Sequence, residues 1–229
     1  MKNRRSVLGA LTVVAVLCAC AAGCGNGSGE EGPADENTSA AAEICGGALS
    51  SEAQQALTRL TGSSELRSTD EDDVRSVTET LVAEWKPLSA PPGDDVEADL
   101  CAVSSNESWG NGPADVRIKF GFSDAETAKG GHEISKALTP YEMGEHASVG
   151  TQYGFLWFSC TSEQLAGSKE NPAYIQTEIR NALEPDGDAG QLRDANATVL
   201  HSAAVALAGQ LACDDLGGLE DKPTPKQRG

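Results

Sequence analysis

The 229-residue chain predicts an α+β domain, with an antiparallel sheet of three to four strands from the middle of the chain, packed by N-terminal helices and a long C-terminal helix. Three observations carry this expectation. Val116, Ile118, Phe120 and Phe122 alternate with Arg117, Lys119 and Gly121, the period of a strand with one buried and one wet face. Residues 153–158 (YGFLWF) are apolar on both faces, as in an inner strand covered on both sides. The stretches before residue 87 and after residue 194 instead repeat their apolar residues at three and four, so each needs a surface on which to bury a stripe.

In chain order, residues 1–24 decide location. Lys2, Arg4 and Arg5 are followed by residues 6–23 without a charge, and residues 7–17 (VLGALTVVAVL) are apolar enough to enter a bilayer, the layout of a secretory signal. Ala21-Ala22-Gly23-Cys24 resembles the lipobox of bacterial lipoproteins, although that pattern prefers Leu where Ala21 stands. The resemblance implies that residues 1–23 are removed and that Cys24 carries the lipid. Leu17-Cys18-Ala19-Cys20 is a rival with the leucine in place. Processing at Cys24 leaves four of the seven cysteines beyond the lipidated one, whereas processing at Cys20 leaves an odd set; even sets suit an oxidising compartment and favour Cys24. The uncharged run ends in Cys, Ala and Gly, which favours a cleaved signal over a retained span. Asn3-Arg4-Arg5-Ser6-Val7-Leu8 is also similar to a twin-arginine signal, so the export route stays open between that and the general secretory one.

Removing residues 1–23 takes away three basic and no acidic residues, leaving 14 Lys+Arg against 35 Asp+Glu and a formal charge of −21. Such a surface repels phosphate backbones, which excludes nucleic acid, and draws basic proteins, peptides and cations. The remaining length suits one core. Scarce Lys and abundant Ala and Gly, together with the lipobox, make the chain resemble the small secreted lipoproteins of actinobacteria, a resemblance that implies location and no particular activity.

Residues 24–43 comprise the lipidated Cys24 and a Gly, Ser, Glu and Asn-rich stretch without a large apolar residue, a tether that holds the domain roughly 25 Å from the anchor. A single folded domain is expected over residues 44–216. Ser51-Glu52-Ala53-Gln54 has capping-box spacing, and Ala53, Ala56, Leu57 and Leu60 form a helical stripe that stops at Gly62. Four acids at 70–73 open a second helix with Val74, Val77, Leu81 and Trp85 on one face, ended by Pro87. After Pro91-Pro92-Gly93, strands are expected at 96–103 and 115–122, joined by a loop carrying Trp109, and at 147–149 and 153–158. Ser123 to Glu126 offers a further capping box. Asn171, Pro172, Ile175, Ile179, Ala182 and Leu183 fit a helix, and residues 194–213 form the longest one, with Val199, Leu200, Ala203, Ala204, Leu207 and Leu211 as its stripe. Residues 217–229 are polar, hold two prolines and are expected to fray.

No catalytic constellation stands out. Neither Gly-x-Ser-x-Gly, a serine with lysine three residues on, nor a phosphate loop occurs. His132-Glu133 has Lys136 where a zinc-protease helix needs its second histidine. His132 and His146, with Glu133, Glu142 and Glu145 nearby, have no spacing specific to a metal, and His201 lies off the centre of its stripe, the place of a structural histidine. No catalytic residue, metal or cofactor is therefore assigned. Trp109, an indole in a Gly/Asn/Pro loop, is the best candidate contact residue, against the alternative that it folds back as a lid on its own core.

Cys45, Cys101, Cys160 and Cys213 are expected to form two disulfides, since none has the close spacing of a zinc knuckle or a redox pair. Three connectivities are open; joining Cys45 to Cys101 and Cys160 to Cys213 would tie helices to strands at both ends of the domain. The functional expectation is a membrane-tethered extracytoplasmic binding or interaction module on the outer face of the cytoplasmic membrane. The alternative is an envelope enzyme, such as a hydrolase, whose carboxylates meet only on folding.

Overall fold

The computed structural model describes residues 40–68, 73–86, 97–130, 137–220 and 226–228. The signal, Cys24, residues 25–39 of the tether, the acids at 70–72, Pro87, the Pro91-Pro92-Gly93 break, and His132, Glu133 and Lys136 lie outside the described residues.

Among the described residues, four α-helices and seven strands follow in the order α1 (Ser51–Thr61), β1 (Leu66–Ser68), α2 (Val74–Glu84), β2 (Glu97–Ser105), β3 (Val116–Ser123), α3 (Ala125–Ala128), β4 (Thr139–Tyr141), β5 (His146–Val149), β6 (Tyr153–Cys160), β7 (Ala173–Asn181) and α4 (Ala189–Gln210). The α+β class is the expected one, but the sheet is larger than three to four strands. All seven pair antiparallel in the order β1-β2-β3-β7-β6-β5-β4. Two of the extra strands, β1 and β4, are three residues long, too short to show a period. The third, β7, corrects the helix expected around 175–183. Ile175 and Ile179 are four apart, which suits either element, and the polar Thr177 and Asn181 occupy the buried face and disguise the alternation.

Local chemistry sets the helix ends. Ser50, one residue before the expected cap, accepts from the Ala53 amide, and α1 stops at Gly62, whose φ of 69° is left-handed. Asp73 caps α2 through the Ser76 amide at 2.8 Å, a bond that holds its carboxyl below the usual range. Asp124, not Ser123, caps α3 by accepting from the Glu126 and Thr127 amides. Asp188 caps α4, whose first residue, Ala189, lies five before the expected start at Asp194.

Helices α1, α2 and α4 lie on one face of the sheet, where Ile118, Phe120, Leu156, Phe158, Ile175 and Ile179 meet Leu57, Leu60, Val77, Leu81, Leu200 and Leu207 in one core. Each such side chain contributes about 1.5–3 kcal/mol by leaving water. No helix among the described residues is long and apolar enough to cross a membrane. Where α4 meets β7 and the β5–β6 turn, Asn196 Nδ2 donates to the Gly150 and Thr151 carbonyls at 2.9 and 3.0 Å, and its Oδ1 accepts from Asn181 Nδ2 at 3.2 Å.

Two disulfides fasten the core. Cys45 joins Cys101, with Cα atoms 5.3 Å apart, and Cys160 joins Cys213, with Cα atoms 5.0 Å apart. Cys45 adopts a left-handed φ of 55°, a conformation uncommon outside glycine, and is held there by the bridge and by its amide bond to Ser68 Oγ. Part of the segment expected to fray is anchored. Leu219 is buried, and residues 226–228 pair with the β4 edge: the Glu142 amide donates to Lys226 O, the Arg228 amide to Pro140 O, and Tyr141 bridges Gln227. Composition predicts fraying when no partner is visible, and here the partner is an open strand edge.

Candidate binding surface

The strand period that turns one face of the sheet to α1, α2 and α4 turns the alternate residues to the other face. On β7, Tyr174, Gln176, Glu178 and Arg180 alternate with buried Ala173, Ile175, Thr177 and Ile179. Register then lays out this second face in rows. Arg180 is opposite Arg117 of β3 and Tyr153 of β6; Glu178 is opposite Lys119 and Phe155; Gln176 is opposite Gly121 and Trp157. The result is a charged half on β2, β3 and β7 beside an aromatic half on β5 and β6.

In the charged half, Lys119 Nζ lies 2.6 Å from Glu97 Oε2, and this hydrogen bond raises the lysine's pKa above its ordinary value. Arg180 Nη2 is 3.0 Å from Glu178 Oε1. Arg117 is exposed, belongs to no ion pair among the described residues, and faces Arg180 directly across the strands. Like charges at directly opposed positions destabilise a sheet. Two depressions, of about 210 and 380 Å³, share Glu97, Lys119 and Glu178 as lining; the larger also takes in Arg117 and Arg180.

In the aromatic half, Phe155 stacks on Trp157 with centroids 5.6 Å apart, Tyr153 meets Phe155 edge-on at 6.1 Å, and the His146 ring lies 5.7 Å from Trp157. Trp157 is fully buried and its indole N–H has no acceptor among the described residues, while Tyr153 and Phe155 remain half-exposed. Lys129, just past α3, holds its ammonium 5.3 Å from the Tyr174 ring. Ser148 Oγ and His146 Nε2, two residues apart on β5, are 3.0 Å apart; burial first, and then the charge of Arg228, lowers the histidine's pKa and keeps it neutral.

The residues singled out in the sequence are distributed differently. Trp109 is 39% exposed and outside the core, so it is no lid; the Arg67 guanidinium sits 6.0 Å from its ring centroid, at the β1 end of the strand order and away from β5 and β6. Its loop is pinned by Asp115 Oδ2, which accepts from Ser108 Oγ and the Ser105 amide. Glu142 pairs with Lys226 at 3.0 Å and Glu145 accepts from Ser159 Oγ at 2.8 Å, so neither carboxylate turns to His146. Among the described residues no three His, Cys, Asp or Glu side chains gather as a metal site. Cys24 lies outside the described residues. The half-exposed aromatics were present in the sequence as Tyr153 and Phe155 at strand spacing, but they read as buried because Leu156, Trp157 and Phe158 made the run apolar throughout.

Comparison of the chain with protein-family models, with curated proteins and with solved structures finds no match. The functional reading therefore rests on the surface itself.

Proposed function

We propose that this chain is a membrane-tethered extracytoplasmic binding module that takes a protein partner on the face of its sheet opposite α1, α2 and α4. The observation that carries the reading is the exposed Arg117–Arg180 pair directly beside half-exposed Tyr153 and Phe155. Opposed in register, the two arginines bring like charge to adjacent strands, and among the described residues only Arg180 is compensated, by Glu178. A partner carboxylate seated between them turns that repulsion into charge-assisted hydrogen bonds. Arg and Tyr are also the side chains that most often dominate protein interfaces, because they bring large area with a polar tip. The signal-like leader and the lipobox-like Cys24 support the tethered location. The strongly acidic chain as a whole favours a partner of mixed or basic charge that offers its carboxylate locally.

A photo-crosslinking amino acid placed at Phe155, and separately at exposed Glu79 on α2, tests this in the native envelope. The expected result is one protein adduct from position 155, none of it from position 79, and its loss on Arg117→Glu. Adducts that form equally from both positions, or that survive Arg117→Glu combined with Arg180→Glu, overturn the proposal.

One observation favours the enzymatic alternative, the 3.0 Å contact between Ser148 Oγ and a neutral His146, which is the spacing of a nucleophile and its base. Among the described residues no carboxylate bonds to the other ring nitrogen to orient it. Covalent labelling of Ser148 by a fluorophosphonate, abolished by His146→Gln, is the result this reading requires; an unlabelled Ser148 removes it.

A further inference from the structure

A third concavity, of about 210 Å³, has the α4 residue His201 in its lining and Glu142, Glu220 and Arg228 around it. The anchored segment 226–228 builds one side, since its pairing with Pro140 and Glu142 is what brings Arg228 there. Gly144 lines another side at φ 55°, where a Cβ would collide with the Trp157 carbonyl. His201 is 2% exposed, yet it has no hydrogen-bond partner among the described residues, while its neighbours on α4 are Val199, Leu200, Ala203 and Ala204. Burial lowers its pKa to about 4, so the imidazole is neutral and offers one donor and one acceptor.

The charges around the cleft are of both signs, and two of them lack an ion-pair partner among the described residues. Neither Arg228 nor Glu220 belongs to an ion pair among the described residues, and Glu142 is held by Lys226. A simple anion entering here meets Glu142 and Glu220; a simple cation meets Arg228 and Lys226. A molecule with one charge of each sign at separate ends satisfies both. The volume is below that of sites for drug-sized ligands, roughly 300–1,000 Å³, and suits a small metabolite.

We propose that this cleft binds a small zwitterion of the free α-amino acid class, with its carboxylate on Arg228, its ammonium on Glu220 and Glu142, and His201 hydrogen-bonding to it from the buried side. The site is separate from the sheet face and stands or falls independently of the partner reading.

Isothermal titration of the full chain in detergent with each coded amino acid tests it. At least one should saturate with a Kd of about 1 mM or tighter. Its N-acetylated and C-amidated forms should fail to bind. Arg228→Gln and Glu220→Gln should each weaken binding about tenfold or more, the usual worth of a charge-assisted hydrogen bond. Lys169→Gln, at an exposed ion pair with Glu163, serves as the control and should leave affinity unchanged. The proposal is overturned if no amino acid saturates, if inorganic phosphate binds in their place, if the capped forms bind as well as the free one, or if affinity survives both rim substitutions with the fold intact by circular dichroism.

Discussion

Removing either disulfide should cost this domain a large and nearly equal share of its stability. The bridges close loops with sequence separations of 56 and 53, and these loops do not overlap along the chain. Chain entropy alone then gives about 4 kcal/mol for each, counted as freedom regained by the unfolded chain. Because the loops are separate, the two losses should add to about 8 kcal/mol, which is comparable to the whole stability of a typical domain. Cys45→Ala with Cys101→Ala, and Cys160→Ala with Cys213→Ala, should therefore each lower Tm by about 8–16 °C in a domain of this size. Both together should leave a largely unfolded chain. Urea unfolding followed by tryptophan fluorescence and far-UV circular dichroism provides the free energies. The m-value should rise as each crosslink is removed, because the denatured chain expands. A loss below about 1 kcal/mol for either pair refutes the chain-entropy account. Non-reduced peptides linking Cys45 to Cys160 or Cys213 refute the pairing itself.

Three further outcomes are expected. Asn196→Ala strips the donor from the Gly150 carbonyl and the acceptor from Asn181, and should cost about 3 kcal/mol in urea unfolding; a change within experimental error would show the network to be energetically idle. His201 titrates near pH 4 when folded and near 6.5 when unfolded, so the unfolded chain takes up the extra proton first. The stability held above about pH 6.5 is lost as pH falls towards 4, by up to about 3 kcal/mol; His201→Leu should flatten that part of the pH–stability curve, with the smaller contribution of His146 remaining in the same direction. Cys24→Ala should release the protein from the membrane fraction, and mature wild-type chains should begin at an acylated Cys24; an intact segment 1–23 in mature protein refutes the anchor.

The parts of the fold legible in the sequence were those where one period was unbroken. The alternation from Val116 to Phe122 and the stripe through Leu200, Ala204, Leu207 and Leu211 each survive in β3 and at the core face of α4. Where polar residues enter the buried face, as Thr177 and Asn181 do on β7, the period fails and a strand reads as a helix. Three-residue strands such as β1 and β4 exist because neighbours pair with them, and no local signal encodes that. The candidate surface follows the same rule. Arg117 and Lys119 were visible as the wet side of a strand, but the opposition of Arg117 to Arg180 depends on pairing between strands far apart in sequence. The exposure of His201's neighbourhood likewise depends on residues 226–228 returning to the β4 edge.

The placement of the two bridges also fixes how the domain would respond to being pulled. Tension applied along the N-terminal segment enters at Cys45 and passes through sulfur directly to Cys101 in β2, so α1, β1 and α2, which lie between them, carry no load. Tension from the C-terminal side beyond Cys213 passes likewise to Cys160, which shields β7 and α4. Between Cys45 and Cys213, only the stretch from Cys101 to Cys160 can lengthen, and it begins and ends in strands of the sheet. A domain wired in this way keeps its helical layer and its central strand β7 out of the force path, and the extension available before covalent bonds bear the load is set by the chain between Cys101 and Cys160.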